Sequence, residues 1–279
     1  MAQVGSGFNA PRPGWMFMEF DIDAETAVVT GSSRGIGRAI AERFAGNGVD
    51  MVLCSRAYDE VAEVAKVIDE DPGAGRAVPV ECDVREWDAV EALIETTVQE
   101  FGGIDVLVNN AGTSDPTPFE EITPDGWERI LDTNLGGVFN CTRIAGEEML
   151  AADGGTIVNV SAASTRWGLP EWSHYVAAKT GIESLTRVVA AEWAAEGVRV
   201  NAVAPGPILT ERMAGYLGAD PDEVDETAFD RILGTPDEVA QIVQVLASPA
   251  ASFVSGETIY VKGPPRIPEL DLHAAIGNG

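Results

Sequence analysis

Tyr175 and Lys179 stand four residues apart in HYVAAKTGIESLTRVVAAEW, a run that reads as a helix, so both side chains leave one face. Tyrosine is a weak acid with a reference pKa of about 10, and a cation beside it favours the phenolate. Such a pair can give a proton to, or take one from, an oxygen on a bound molecule. Only three lysines occur in the chain, Lys66, Lys179 and Lys262, so one at this spacing carries weight. His174 precedes the tyrosine, but adjacent helix residues face apart, and it reads as incidental.

A second constellation could hold a phosphate. Thr30-Gly31-Ser32-Ser33-Arg34-Gly35-Ile36-Gly37 follows a β-rich run and leads into the helical run RAIAERFAGNG. Glycines let backbone N–H groups approach a pyrophosphate, and the helix start adds the positive end of its dipole. At the end of the next β-rich run, such a site needs an acid for a ribose hydroxyl or an arginine for a 2′-phosphate. Ser55 and Arg56 stand there, positions 53 to 56 hold no acid, and Arg34 offers a second guanidinium. NADP(H) is therefore favoured over NAD(H).

With these features the chain resembles the short-chain dehydrogenase/reductase family from about residue 24 to 263. TGSSRGIG is similar to that family's TGxxxGxG turn, and Asn109-Asn110-Ala111-Gly112 to its NNAG segment. Tyr175-Val-Ala-Ala-Lys179 is similar to its YxxxK pair, and Pro205-Gly206 with Ile208 and Thr210 to the segment that holds the nicotinamide carboxamide. The resemblance implies further roles. Lys179 would also hold the nicotinamide ribose, Asn134 would support the fold and a proton-relay water, and Asp83, followed by Val84, would meet the adenine amine. The family usually has a serine 13 residues before the tyrosine, a position that falls here on Ala162. On an extended strand end Ser164 shares the face of Ala162 and is the better substitute, whereas a one-residue insertion would restore Ser161.

The elements that must position these groups follow a steady rhythm. β-rich runs lie at 26–30, 49–54, 77–81, 104–108, 156–160, 198–203 and 257–261, with helical patterns between them. The clearest helix is Arg85 to Phe101, with Trp87, Val90, Ile94, Val98 and Phe101 on one stripe. Unbroken alternation predicts an α/β fold: a single doubly wound Rossmann-type domain over 23–263 with a mainly parallel seven-stranded sheet. Residues 1–22 read as a flexible lead-in and 264–279 as a peripheral tail. The excursion from Pro205 to about Phe229 is long enough for an active-site lid, with Ile208, Met213, Tyr216 and Leu217 as its apolar residues.

Charge narrows the partners. Eighteen basic against 45 acidic residues leave −27, a field that repels nucleic acid and anionic membranes. The acids are spread along the chain, and such a charge opposes compaction less where salt screens it, so a salt-rich cytoplasm, as in a halophile, fits. Three cysteines, Cys54, Cys82 and Cys141, match no metal or disulfide spacing and read as reduced thiols; no metal site is expected. No run of 18 apolar residues and no signal segment occur, so a cytoplasmic location is expected. The expected function is interconversion of a ketone and a secondary alcohol with NADP(H), acting on a small carbonyl or alcohol substrate. 3-Oxoacyl thioester reductases are the favoured likeness. Sugar or polyol dehydrogenases, enoyl-thioester reductases and a non-catalytic cofactor-binding regulator are the alternatives. The resemblance also implies a homotetramer or homodimer.

Overall fold

Seven strands form where the β-rich runs predict them, with some ends moved by a residue or two: β1 Thr26–Thr30, β2 Asp50–Ser55, β3 Ala77–Glu81, β4 Val106–Asn109, β5 Gly155–Val160, β6 Val198–Pro205 and β7 Thr258–Val261. The structure is a computed structural model that describes residues 20–152, 154–217 and 233–263. All six strand pairings are parallel, in the order β3-β2-β1-β4-β5-β6-β7. Parallel neighbours require crossovers, and the described helices supply them: α1 Gly35–Ala45, α2 Tyr58–Asp69, α3 Trp87–Phe101, α4 Pro124–Leu131, α5 Gly137–Ala151, α6 Ser173–Trp193, α7 Glu211–Leu217 and α8 Pro236–Ala247.

Alternate residues of each strand serve opposite faces. In β1, Ala27 and Val29 join Ile40 and Phe44 of α1, Val64 of α2 and Val243 of α8 in one core. Val28 joins Leu93 of α3, Ala145 of α5 and Val189 of α6 in the other. Burial on both faces explains why the strands read as apolar runs and not as alternating ones. The chain order reverses between β1 and β4, so a crevice opens at their carboxyl ends, where doubly wound sheets bind ligands.

Two expectations shift. Ile22 is buried in the first core and the Phe20 carbonyl accepts from Gln244, so the packed region begins before residue 23. Helix α3 starts at Trp87, not Arg85, and its buried face is Val90, Leu93, Ile94 and Thr97, with Trp87 at the exposed margin. Thr97 tolerates burial because its hydroxyl donates to the Leu93 carbonyl at 2.9 Å. The rest of the lead-in, residues 218–232 of the excursion and the tail 264–279 lie outside the described residues, as do the side chains of Tyr216 and Leu217. All three cysteines are free and buried. No described helix is long and apolar enough to cross a membrane.

Candidate active site

The glycine turn is held open by its neighbour in space. Gly31 adopts φ +64, and a Cβ on it would stand 2.8 Å from the Ala111 Cα; one on Gly37 would stand 2.4 Å from the Gly31 carbonyl oxygen. The contact is close because Asn110 bolts the two segments together. Its Nδ2 donates to the carbonyls of Thr30 and Gly31 at 2.9 and 3.0 Å, and Thr30 Oγ1 accepts from the N–H groups of Asn110 and Ala111. Helix α1 then begins with no side-chain cap and no acid in its first turn, so its positive end faces the crevice. Ser33 and Ile36 line the turn, half-buried, and the Thr210 methyl lies 3.2 Å from where a Cβ on Gly35 would be. The segment from Pro205 thus leans over the turn, anchored by the Gly206 N–H on the Val261 carbonyl and by buried Ile208. An uncapped helix start beneath a glycine turn that has no room for a Cβ at Gly31 or Gly37 fits the pyrophosphate of a dinucleotide.

At the far end of this cradle, Arg34 and Arg56 are exposed and carry no ion pair among the described residues. Ser55 turns back onto its own loop, accepting from the Ala57 N–H at 3.1 Å. Both oxygens of Asp83 are held by the Arg85 guanidinium, whose hydrogen bonds keep the carboxyl below its usual range; the Arg56 charge adds to this. An adenine contact by Asp83 must therefore be shared with Arg85. Val84 is buried against α5, and its carbonyl accepts from Asn140 at 2.9 Å.

On the other side of the crevice, Lys179 Nζ lies 5.7 Å from the centre of the Tyr175 ring, so the two do share a face. Their charges do not act as expected. Lys179 is 4% exposed, donates to the Val160 carbonyl at 2.8 Å and has no carboxylate partner among the described residues, so burial lowers its pKa to about 8. Burial pushes the Tyr175 phenol up to about 12, and the Arg212 charge draws it back only in part. In this state desolvation outweighs the neighbouring cation, reversing the expected drift toward phenolate. Trp172 packs edge-on against the Tyr175 ring, with centroids 5.3 Å apart.

Asn134 sits in a π-helical turn, Asp132–Gly136, that joins α4 to α5. Its Nδ2 donates to the Thr113 and Ile130 carbonyls, each at 2.8 Å, and its Oδ1 accepts from the Thr113 N–H. Gly112 permits this, since a Cβ there would come within 2.8 Å of Oδ1. Both amide protons of Asn134 are thereby committed. His174 is 2% exposed, and its Nδ1 has no partner among the described residues. Burial lowers its pKa, so it packs as the neutral imidazole.

The serine question turns on local backbone. Strand β5 ends at Val160, and Ala163–Arg166 form a 3-10 turn in place of the extended end assumed for the alternation. Strand alternation therefore does not apply to Ser164, whose hydroxyl makes no bond among the described residues. Ser161 is committed elsewhere, its Oγ lying 2.9 Å from Glu183 Oε1 and 3.1 Å from the Lys179 carbonyl. Sequence reasoning missed Glu183, a buried carboxylate that also accepts from Thr165 at 2.7 Å and from the Tyr260 hydroxyl at 3.0 Å. It ties the turn and β7 to α6 one helical turn beyond Lys179. An acid on the stripe of Lys179 was the available signal.

Residues 31–263 match a family model described as enoyl-(acyl carrier protein) reductase. The chain is 39% identical over 243 residues to a 3-oxoacyl-[acyl-carrier-protein] reductase of Synechocystis sp., covering 87% of this chain and 97% of that protein. It is 38% identical to 3beta-hydroxysteroid dehydrogenase 1 of Eggerthella lenta, covering 87% and 94%. Among solved structures, a short-chain type dehydrogenase/reductase from Mycobacterium marinum superposes with a TM-score of 0.79 at 32% identity, covering 88% and 96%.

Proposed function

Because the chain belongs to the short-chain dehydrogenase/reductase family of oxidoreductases, we propose that it interconverts a ketone and a secondary alcohol with NADP(H), with Tyr175 as proton donor and acceptor. The observation that carries this reading is the placement of Tyr175 over Lys179 across a crevice from the turn that Asn110 holds open. When bound, the nicotinamide supplies or accepts the hydride. The chain does the rest. The phenol of Tyr175 moves the hydroxyl proton, the Lys179 ammonium orients it from below, and the hydroxyl of Ser164, uncommitted among the described residues, is the candidate to replace the one absent at Ala162. Pro205, Gly206, Ile208 and Thr210 close over the crevice. The Synechocystis relative supports a 3-oxoacyl thioester as substrate. The description of the family model favours a second reading, reduction of an enoyl thioester. Following NADPH oxidation with a panel of ketones, 3-oxoacyl thioesters and enoyl thioesters separates the two. Cofactor binding with no turnover on the whole panel would instead favour a regulator.

Arg34 and Arg56 carry the choice of cofactor. NADPH should bind more tightly than NADH by about 1.5 to 3 kcal/mol, the range for hydrogen bonds to a charged group, and Arg56→Asp should reverse the order. Equal affinity of the parent protein for both cofactors by titration would remove the arginines from this role.

The even spread of acids supports function in a salt-rich cytoplasm. Exposed Trp87 and Phe139, whose rings are 6.4 Å apart on α3 and α5, support a homodimer or homotetramer. From about 0.1 to 1 M KCl the screening length falls from about 10 to 3 Å, so the melting midpoint should rise. Light scattering over the same series should give two or four chains. A flat or falling midpoint counts against the salt adaptation, and a monomer mass throughout against the assembly.

A further inference from the structure

The chain has 45 acids and 18 basic residues, so a cation beside the crevice with no carboxylate partner stands out, apart from Arg34 and Arg56 at the far end of the cradle. Seven of the basic residues are taken up by ion pairs. Others have different work: Arg199 donates to the carbonyls of Leu246 and Ala251, Arg166 lies 3.8 Å over the Tyr260 ring, and Lys262 lies 5.2 Å over that of Trp167. Arg212 differs from all of these. It is exposed near the start of α7, two residues after Thr210, and its one hydrogen bond among the described residues is a 3.5 Å contact from Nη1 to Ser114 Oγ. Ser114 lies two residues beyond Gly112, on the opposite lip of the crevice. Arg212 thus spans the two lips that flank the Tyr175 phenol, and its charge is felt there.

We propose that Arg212 selects substrates that carry a carboxylate or phosphate in addition to the reacting carbonyl. This rests on the reading of the crevice as a reductase site. A 3.5 Å bond to a neutral hydroxyl is long and weak, whereas a guanidinium presents a planar fork that matches both oxyanions. The overall charge of −27 repels such a substrate at a distance, so a local cation free of carboxylate partners among the described residues is what can seat it.

The test compares acetoacetate, acetoacetyl-coenzyme A and neutral ethyl acetoacetate at one ionic strength, with the parent protein, Arg212→Gln and Arg212→Lys. In Arg212→Gln, kcat/KM for a charged substrate relative to the neutral ester should fall at least about tenfold, mainly through KM, and Arg212→Lys should restore part of it. Loss confined to acetoacetate identifies a carboxylate, and loss confined to the thioester a carrier phosphate. Equal changes for charged and neutral substrates would show that Arg212 only ties α7 to the loop at Ser114, and would overturn the proposal with the reductase reading intact. Binding is read in parallel from quenching of the intrinsic tryptophan fluorescence. If no compound is turned over, charged-ligand binding that disappears in Arg212→Gln upholds the proposal while the reductase reading fails. Absence of charge-selective binding in the parent protein overturns it.

Discussion

Tyr175→Phe should lower turnover by about 10² to 10⁴ while leaving NADPH binding nearly intact, because it deletes only the oxygen that moves the proton in the proposed mechanism. The raised pKa fixes the pH dependence of the parent protein. Burial holds the phenol at about 12, so it stays protonated through neutral pH. Reduction, which needs the proton, should be flat there, and oxidation, which needs the phenolate, should climb with pH. The same assay places the missing hydroxyl. A donor to a developing alkoxide contributes up to about 10² to 10³ in rate. Ser164→Ala should therefore cost at least about tenfold, and Ala162→Ser should preserve or raise activity. A phenylalanine variant with near-normal turnover would take Tyr175 out of the mechanism, and a silent Ser164→Ala would leave Tyr175 as the sole donor.

Lys179→Met should move activity and stability in opposite directions. Turnover and NADPH affinity should fall, since the ammonium beneath the ring is lost. The ligand-free fold should gain stability. Lys179 is 4% exposed and has, among the described residues, one carbonyl and no carboxylate for its charge, so its pKa falls from 10.5 to about 8. That drop corresponds to about 3 kcal/mol of unfavourable burial, and loss of the bond to Val160 offsets about 1 to 2 of it. A net gain of about 1 to 2 kcal/mol is expected. The folded pKa lies below the unfolded one, so the penalty is complete below about pH 8 and vanishes as pH rises to 10.5. Thermal melts of both proteins at neutral and alkaline pH should show a gap that closes on the alkaline side. A variant less stable than its parent at both, or a gap indifferent to pH, would mean that the lysine is better accommodated than its surroundings indicate.

The elements of the fold and the two ends of its crevice were legible because their signals are local. A strand covered on both faces is an apolar run, a phosphate turn is a short glycine pattern, and residues four apart on a helix share a face whatever surrounds them. TGSSRGIG and the Tyr175–Lys179 pair therefore announced themselves. What needed the tertiary structure depends on atoms distant in sequence. Ser161 faces Glu183 across 22 positions, Tyr260 reaches the same carboxylate across 77, and Arg212 meets Ser114 across 98. The drift of Tyr175 also escaped local reading. Sequence shows the cation nearby but not how much water the fold removes, and desolvation decides the sign. Asp83 was visible as a type and position. Only packing showed that Arg85 already holds both of its oxygens.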